Sequence, residues 1–210
     1  MKQSNVTGLK QLIKNSFFNS AGWTIILLVN LITTPYIVFK LTIEGYGIYA
    51  LLTSLIGYYN LFDIGLGQGV IKFVAEYKAK QDYNGIYRSI NAALWVQLCT
   101  GLICSVSLIL FSEAIIKLLN ISPAYYTDVK IGLYISAAGF FFSFLSGTFT
   151  STLMGLQRYD ITSKINVSIN FLLNIFTILI LYLGAGLKEV IYLNSFSAIF
   201  SFIICYIFLT

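Results

Sequence analysis

Long apolar blocks separated by short polar links run the length of the chain. Six of them approach or exceed the roughly 20 mostly apolar residues that a helix needs to cross about 30 Å of hydrocarbon. They lie at about 17–39, 46–71, 90–111, 130–155, 165–187 and 190–209. In lipid, only helices and closed barrels satisfy their own backbone. The ten-residue polar–apolar alternation of a barrel strand does not occur here. The pattern therefore predicts an all-α polytopic membrane protein. Residues 1–210 form one unit, a six-helix transmembrane bundle with short links.

Composition supports this reading and narrows it. Hydrophobic residues make up 58% and charged residues 10%, and the mean hydropathy is +0.83. A soluble domain carries about 25% charged residues to wet its surface, so lipid must be the main solvent. The net charge of +5 comes from single basic residues scattered between apolar blocks. That is a membrane pattern and not a nucleic-acid surface. The basic residues are also unevenly placed. Lys2, Lys10 and Lys14 precede the first span, Lys72, Lys78, Lys80 and Arg88 follow the second, and Arg158 and Lys164 follow the fourth. The alternate links hold only Lys40, Lys117, Lys130 and Lys188. Nine against four predicts that both termini are cytoplasmic in a cell membrane, bacterial or archaeal. The N-terminal apolar stretch is too long for a secretion signal and lacks a small-x-small cleavage site. The last span runs to Thr210 with no basic anchor behind it, which reads as a piece of something longer.

Little conventional chemistry is available. The chain has no His, so the commonest metal ligand and general base is missing. Cys99, Cys104 and Cys205 lie in apolar runs without CxxC spacing and read as small buried hydrophobes. No metal and no cofactor are expected. The string Gly65-Leu66-Gly67-Gln68-Gly69-Val70 is not a nucleotide loop, because it lies within an apolar helix and no strand precedes it.

Function must then lie in the polar residues inside the spans. Asp63 falls about eight residues before the second span ends. A mid-membrane acid costs about 2.5–3.5 kcal/mol on insertion scales and commonly marks a pathway for protons, ions or substrate. It could equally be an acceptor that pins a neighbouring helix. Asn60 shares its face at i, i+3. Asn166, Asn170 and Asn174 repeat at i, i+4, i+8 on the fifth span, and Gln97, Gly101 and Ser105 repeat that spacing on the third. Such a stripe must meet protein or water, either as a cavity wall for polar headgroups and sugars or as interhelical glue. Gly139, Ser143, Gly147, Ser151 and Gly155 form a small-xxx-small ridge on the fourth span, joined by Gly65 and Gly69 on the second. These predict close helix packing.

Several stretches together resemble the oligosaccharide flippases of the polysaccharide biosynthesis family, the Wzx type, within the multidrug/oligosaccharidyl-lipid/polysaccharide exporter superfamily. They are the basic N-terminal segment with Asn15 and Asn19 before Trp23, the link Gly45-Tyr46-Gly47-Ile48-Tyr49, and Asp63-Ile64-Gly65-Leu66-Gly67 running into Lys72-Phe73-Val74-Ala75-Glu76. Gly155-Leu156-Gln157-Arg158-Tyr159 is a weaker fourth. The resemblance implies export of a polyprenyl-diphosphate-linked oligosaccharide between leaflets, for surface polysaccharides such as O-antigen. It also implies two six-helix lobes around a polar cavity, of which this chain supplies the N-terminal one. A second six-helix half, or another copy of the chain, is the expected partner beside lipid and the glycan substrate, and no nucleic acid is expected. The spans hold no cation for the diphosphate, which leaves Lys72, Arg88, Arg158 and Lys164 at the cytoplasmic rim as candidates. A multidrug exporter half and an inactive remnant are the competing readings. An enzyme that polymerises glycans is disfavoured, since the longest outer link, about 112–129, holds only Glu113, Lys117 and Asp128 as charges.

Overall fold

The structure is a computed structural model that describes the backbone of residues 2–59 and 65–208 and the side chains of 20–54 and 65–208. Seven α-helices follow one another: α1 (Lys2–Tyr59), α2 (Leu66–Ala79), α3 (Tyr83–Leu110), α4 (Ser112–Leu118), α5 (Tyr126–Gly155), α6 (Tyr159–Tyr182) and α7 (Leu187–Ile207). No strand occurs among the described residues. Helix ends are set by local chemistry. The Asp82 carboxylate accepts from the Gly85 backbone N–H at 2.9 Å and caps α3. Helices α2, α4, α5 and α6 each stop on a residue of positive φ, respectively Gln81, Asn120, Gln157 and Gly184. The following N–H then reaches back to the last turn, as Arg158 does to the Leu153 carbonyl at 2.9 Å.

Among the described residues, five helical segments are long and apolar enough to cross a membrane: Ser20–Ser54, Tyr83–Leu110, Pro123–Gly155, Tyr159–Tyr182 and Leu187–Ile207. The sequence predicted six. The first of the five, at 35 residues, would measure about 50 Å if straight, far more than a bilayer core. It is not straight. Thr42 has φ 67° and ψ 167°, values that no helix contains and that strain a β-branched residue. Its hydroxyl accepts from the Gly45 N–H at 3.4 Å. Before this break the chain runs alongside α6 in the same sense, with Gly22 against Ser163 and Asn30 bonded to Asn174. After it, Tyr49 meets Asn194 near the start of α7, and Thr53 lies beside Gly139 and Ala198 further along. The chain has reversed. The remainder of the expected 46–71 span is divided by residues outside the described set and resumes as α2. That helix is too short, and too rich in charge at Lys72, Glu76 and Lys78, to count as a span.

Helices α5 and α7 pack side by side in the same sense over their full length, and α3 crosses the other flank of α5. Close approach is permitted where the ridge carries glycine. A Cβ on Gly139 would sit 2.9 Å from the Cα of Ser195, and one on Gly155 2.8 Å from the Cβ of Val74. A buried cluster built on Leu108, Val129, Leu133, Leu181 and Val190 fills one end of the bundle, and a smaller one on Val70, Val74, Ile86 and Ala93 fills the other. The outside is apolar too. Ile32, Phe39, Leu110 and Leu183 are 73% exposed or more, a surface suited to lipid and not to water.

Charge separates along the bundle. The Lys78 ammonium donates to the Leu156 carbonyl at 2.7 Å, which places the α2–α3 and α5–α6 turns at the same end. That end carries Lys72, Lys78, Lys80, Arg88, Arg158 and Lys164. At the other end Glu113 pairs with Lys130 at 2.6 Å. The hydrogen bond and charge of Lys130 hold the Glu113 carboxyl below its ordinary range.

Candidate functional site: an uncharged polar chamber

Three cavities meet inside the bundle. The first, of about 510 Å³, lies among α1, α5, α6 and α7 and is lined by Thr162, Ser163, Asn166, Asn170 and Ser197, with Trp23 and Tyr159 as aromatic walls. The second, of about 390 Å³, takes in Gly67 and Gln68 of α2 and Ser143, Ser146, Thr150 and Ser151 of α5. These two share Met154, Asn166 and Ser201. A third, of about 230 Å³, joins the second through Ser143 and the first through Asn194. Their linings overlap into one polar-lined chamber region, in which hydroxyls and amides alternate with apolar side chains such as Ile26, Ile169 and Leu173, and none of the described lining residues is charged. Such a wall offers donors and acceptors to a neutral polar ligand and gives an ion no counter-charge.

Each candidate from the sequence has a place. Asn166 and Asn170 line the chamber. Asn174 is buried, and its amide nitrogen lies 3.1 Å from the Asn30 oxygen, 2.9 Å from the Asn170 carbonyl and 3.0 Å from the Asn170 side-chain oxygen. The three-amide stripe therefore changes role along the helix, from cavity wall to a tie between α6 and α1. Gln97 is 3% exposed, outside the chamber, with its oxygen close to Gly147 on the α3–α5 seam. Ser143, Gly147 and Ser151 line the chamber, Gly139 borders it and packs closely on α7, and Gly155 packs closely on α2. Gly65 and Gly69 would meet nothing within 4 Å if given a Cβ. Among the described residues they make no close helix contact, and they face a groove between α2 and α3. Asn60 and Asp63 lie outside the described residues. Thr53 on one side of them and Gly67 on the other both line the chamber. Of the basic rim, Arg158 and Lys164 flank the chamber residues Tyr159 and Ser163 on α6, and Arg88 borders the α2–α3 groove.

Sequence reasoning missed Asn194, Ser197 and Ser201 of α7 and Ser146 and Thr150 of α5. The signal was present as polar residues at i, i+3, i+7 in an apolar helix, but serines in a membrane span read as packing. Cysteine at Asn166 or Asn170 is expected to react with a water-soluble maleimide at least tenfold faster than cysteine at Leu179 or Ile32, which face lipid. Equal rates at all four positions would show that the chamber is dry.

The described residues form a helical bundle with an apolar exterior and a polar-lined interior, the architecture of a membrane protein. Comparison with known proteins agrees. The family of polysaccharide biosynthesis proteins matches residues 12–210, and the chain belongs to it. It is 26% identical over 153 residues to the Shigella flexneri protein named "Putative O-antigen transporter", covering 72% of this chain and 36% of that one. It is 25% identical over 151 residues to the "Uncharacterized membrane protein EpsK" of Bacillus subtilis (strain 168), covering 71% and 29% respectively. Among solved structures, an outward-facing multidrug resistance MATE family transporter of the MOP superfamily superposes with a TM-score of 0.82 at 17% identity. That match covers 95% of this chain and 44% of the other. A crystal structure of MATE in complex with MaD3S gives the same TM-score at 18% identity, with 95% and 45% covered. The chain thus spans about a third of the curated relatives it matches and less than half of the solved chains. The fold is that of one part of a MATE-like transporter.

Proposed function

We propose that the chain is the N-terminal lobe of a flippase that moves a polyprenyl-diphosphate-linked oligosaccharide across the cytoplasmic membrane for polysaccharide biosynthesis. The observation that carries the proposal is the uncharged hydroxyl-and-amide chamber, a lining suited to sugars, in a member of the polysaccharide biosynthesis family. In this reading the runs at about 17–39 and 46–71 act as the first two passes, giving a six-pass lobe with both termini on the cytoplasmic, basic side. Asn166, Asn170 and Asn194 bond sugar hydroxyls, Trp23 and Tyr159 supply stacking faces, and Arg158 and Lys164 meet the diphosphate at the rim. Asp63, flanked in the chain by chamber residues, serves as the proton or cation group of the pathway.

A substrate with a diphosphate and several sugars needs a continuous polar path, because unpaired polar groups in lipid are costly. One lobe supplies one wall, and alternating access rocks two units around a shared site. Residues 1–210 alone are therefore expected not to restore surface glycan export to a cell lacking its flippase. Co-expression with a matching second six-helix lobe restores export, and Asp63→Ala reduces it. Export by the 210-residue chain without any partner would refute the single-lobe reading.

A further inference from the structure

The second face of α2 carries a feature that the chamber does not use. Between α2 and α3 runs a groove of about 460 Å³, walled by Gly65, Gly69, Phe73, Ala92, Ala93 and Val96. Its floor is kept open by glycine, since a Cβ at Gly65 or Gly69 would meet no atom within 4 Å. Arg88 and Tyr77 stand at its basic-side end. From Arg88 to Val96 the groove climbs about 12 Å into the membrane. Two cations border it. Arg88 is exposed and makes one long bond, from its Nε to the Asn84 carbonyl at 3.4 Å. The Lys72 ammonium lies 5.7 Å from the centre of the Phe73 ring, itself a wall of the groove. Neither cation is in an ion pair among the described residues. Among the described residues the nearby acids are already engaged, Glu76 with Lys80 at 2.6 Å and Asp82 with the Gly85 N–H at 2.9 Å. An apolar track into the hydrocarbon with cations at its surface end is complementary to an anionic amphiphile.

We propose that this groove holds a resident anionic glycerophospholipid of the leaflet on the basic side. Its phosphodiester sits on Arg88 and Lys72, and one acyl chain lies over Gly69 and Ala92. The occupant is a lipid of the bilayer rather than the transported substrate, because the chamber is lined from α2 by Gly67, Gln68 and Ile71, on the other side of that helix. The site therefore does not depend on the flippase reading.

The test is native mass spectrometry of the full chain in detergent, offered phosphatidylglycerol and phosphatidylcholine with identical acyl chains. Each Lys or Arg beside an anionic headgroup is worth about a fivefold preference. The unaltered chain is expected to retain phosphatidylglycerol over phosphatidylcholine by about tenfold or more. Arg88→Gln cuts the preference about fivefold, and Lys188→Gln, at the opposite end, leaves it intact. Gly69→Leu fills the track and lowers retention of both lipids while the fold survives. The absence of a headgroup preference, or a preference unchanged in Arg88→Gln and Lys72→Gln alike, overturns the proposal. So does displacement of phosphatidylglycerol by an equimolar polyprenyl diphosphate, which would assign the groove to substrate, or by inorganic phosphate alone.

Discussion

Gly139→Leu is expected to lower the thermal midpoint of the purified chain by about 5–10 °C. A Cβ here falls 2.9 Å from the Cα of Ser195 and 3.0 Å from its carbonyl oxygen. Both are backbone atoms, so no rotamer change relieves the clash, and α5 and α7 must separate. Within lipid no hydrophobic force returns what that separation loses, because tails are as apolar as side chains. Helix association rests on packing and on hydrogen bonds. The ridge supplies its own controls. A Cβ at Gly147 has only the Gln97 oxygen near it, at 3.7 Å, and Gly147→Ala costs little. Gly69→Leu faces open space and leaves the midpoint within about 2 °C. Midpoints followed by fluorescence-detected size exclusion decide the matter. Equal losses at Gly139 and Gly69 would mean that the ridge does not set the α5–α7 distance.

The second large effect separates two kinds of asparagine on one helix. Paired Asn166→Leu and Asn170→Leu substitutions, in a cell supplied with both lobes, are expected to reduce glycan export at least tenfold while the protein accumulates normally. Asn174→Leu should behave in the opposite way. It removes the amide that reaches Asn30 on α1 and leaves the Asn30 oxygen without that donor. Interhelical bonds of this kind average about 0.6 kcal/mol and reach about 1.7, so the midpoint falls by several degrees. Residual export per folded molecule is retained. Export loss from Asn174→Leu beyond its loss of protein would give that residue a place in the transport path.

The sequence read as sequence went far on this chain because lipid simplifies the problem. Apolar runs longer than a bilayer is thick become helices whatever their propensities, so α3, α5, α6 and α7 each overlap an apolar run, with α3 starting seven residues before its run at 90–111. The reversal at Thr42 falls in the link expected between the 17–39 and 46–71 runs. Hydropathy did less well after it, where α2 carries Lys72, Glu76 and Lys78 and is too short to count as a span. In the site, the same small residues serve two ends. Gly139 and Ser143 stand one turn apart on the same ridge and both border the chamber, yet Gly139 is also pressed against the backbone of α7. Residue type cannot distinguish a gap left for a neighbour from a gap left for a ligand; only the position of the neighbouring helix does. Asn174 makes the same point, since its spacing matches that of Asn170 but α1 lies against it.

The turn at Thr42 also has a mechanical consequence. Two long helices joined through one non-helical residue have no slack between them, so at that end they behave as a yoke. The arm before the turn is seated on α6, and the arm after it on α5 and α7. A tilt of either arm is passed directly to the other. Among the described residues, the backbone after that turn next leaves helical geometry at Gly65, with φ 73°. Glycine is the residue for which such a change of angle costs least.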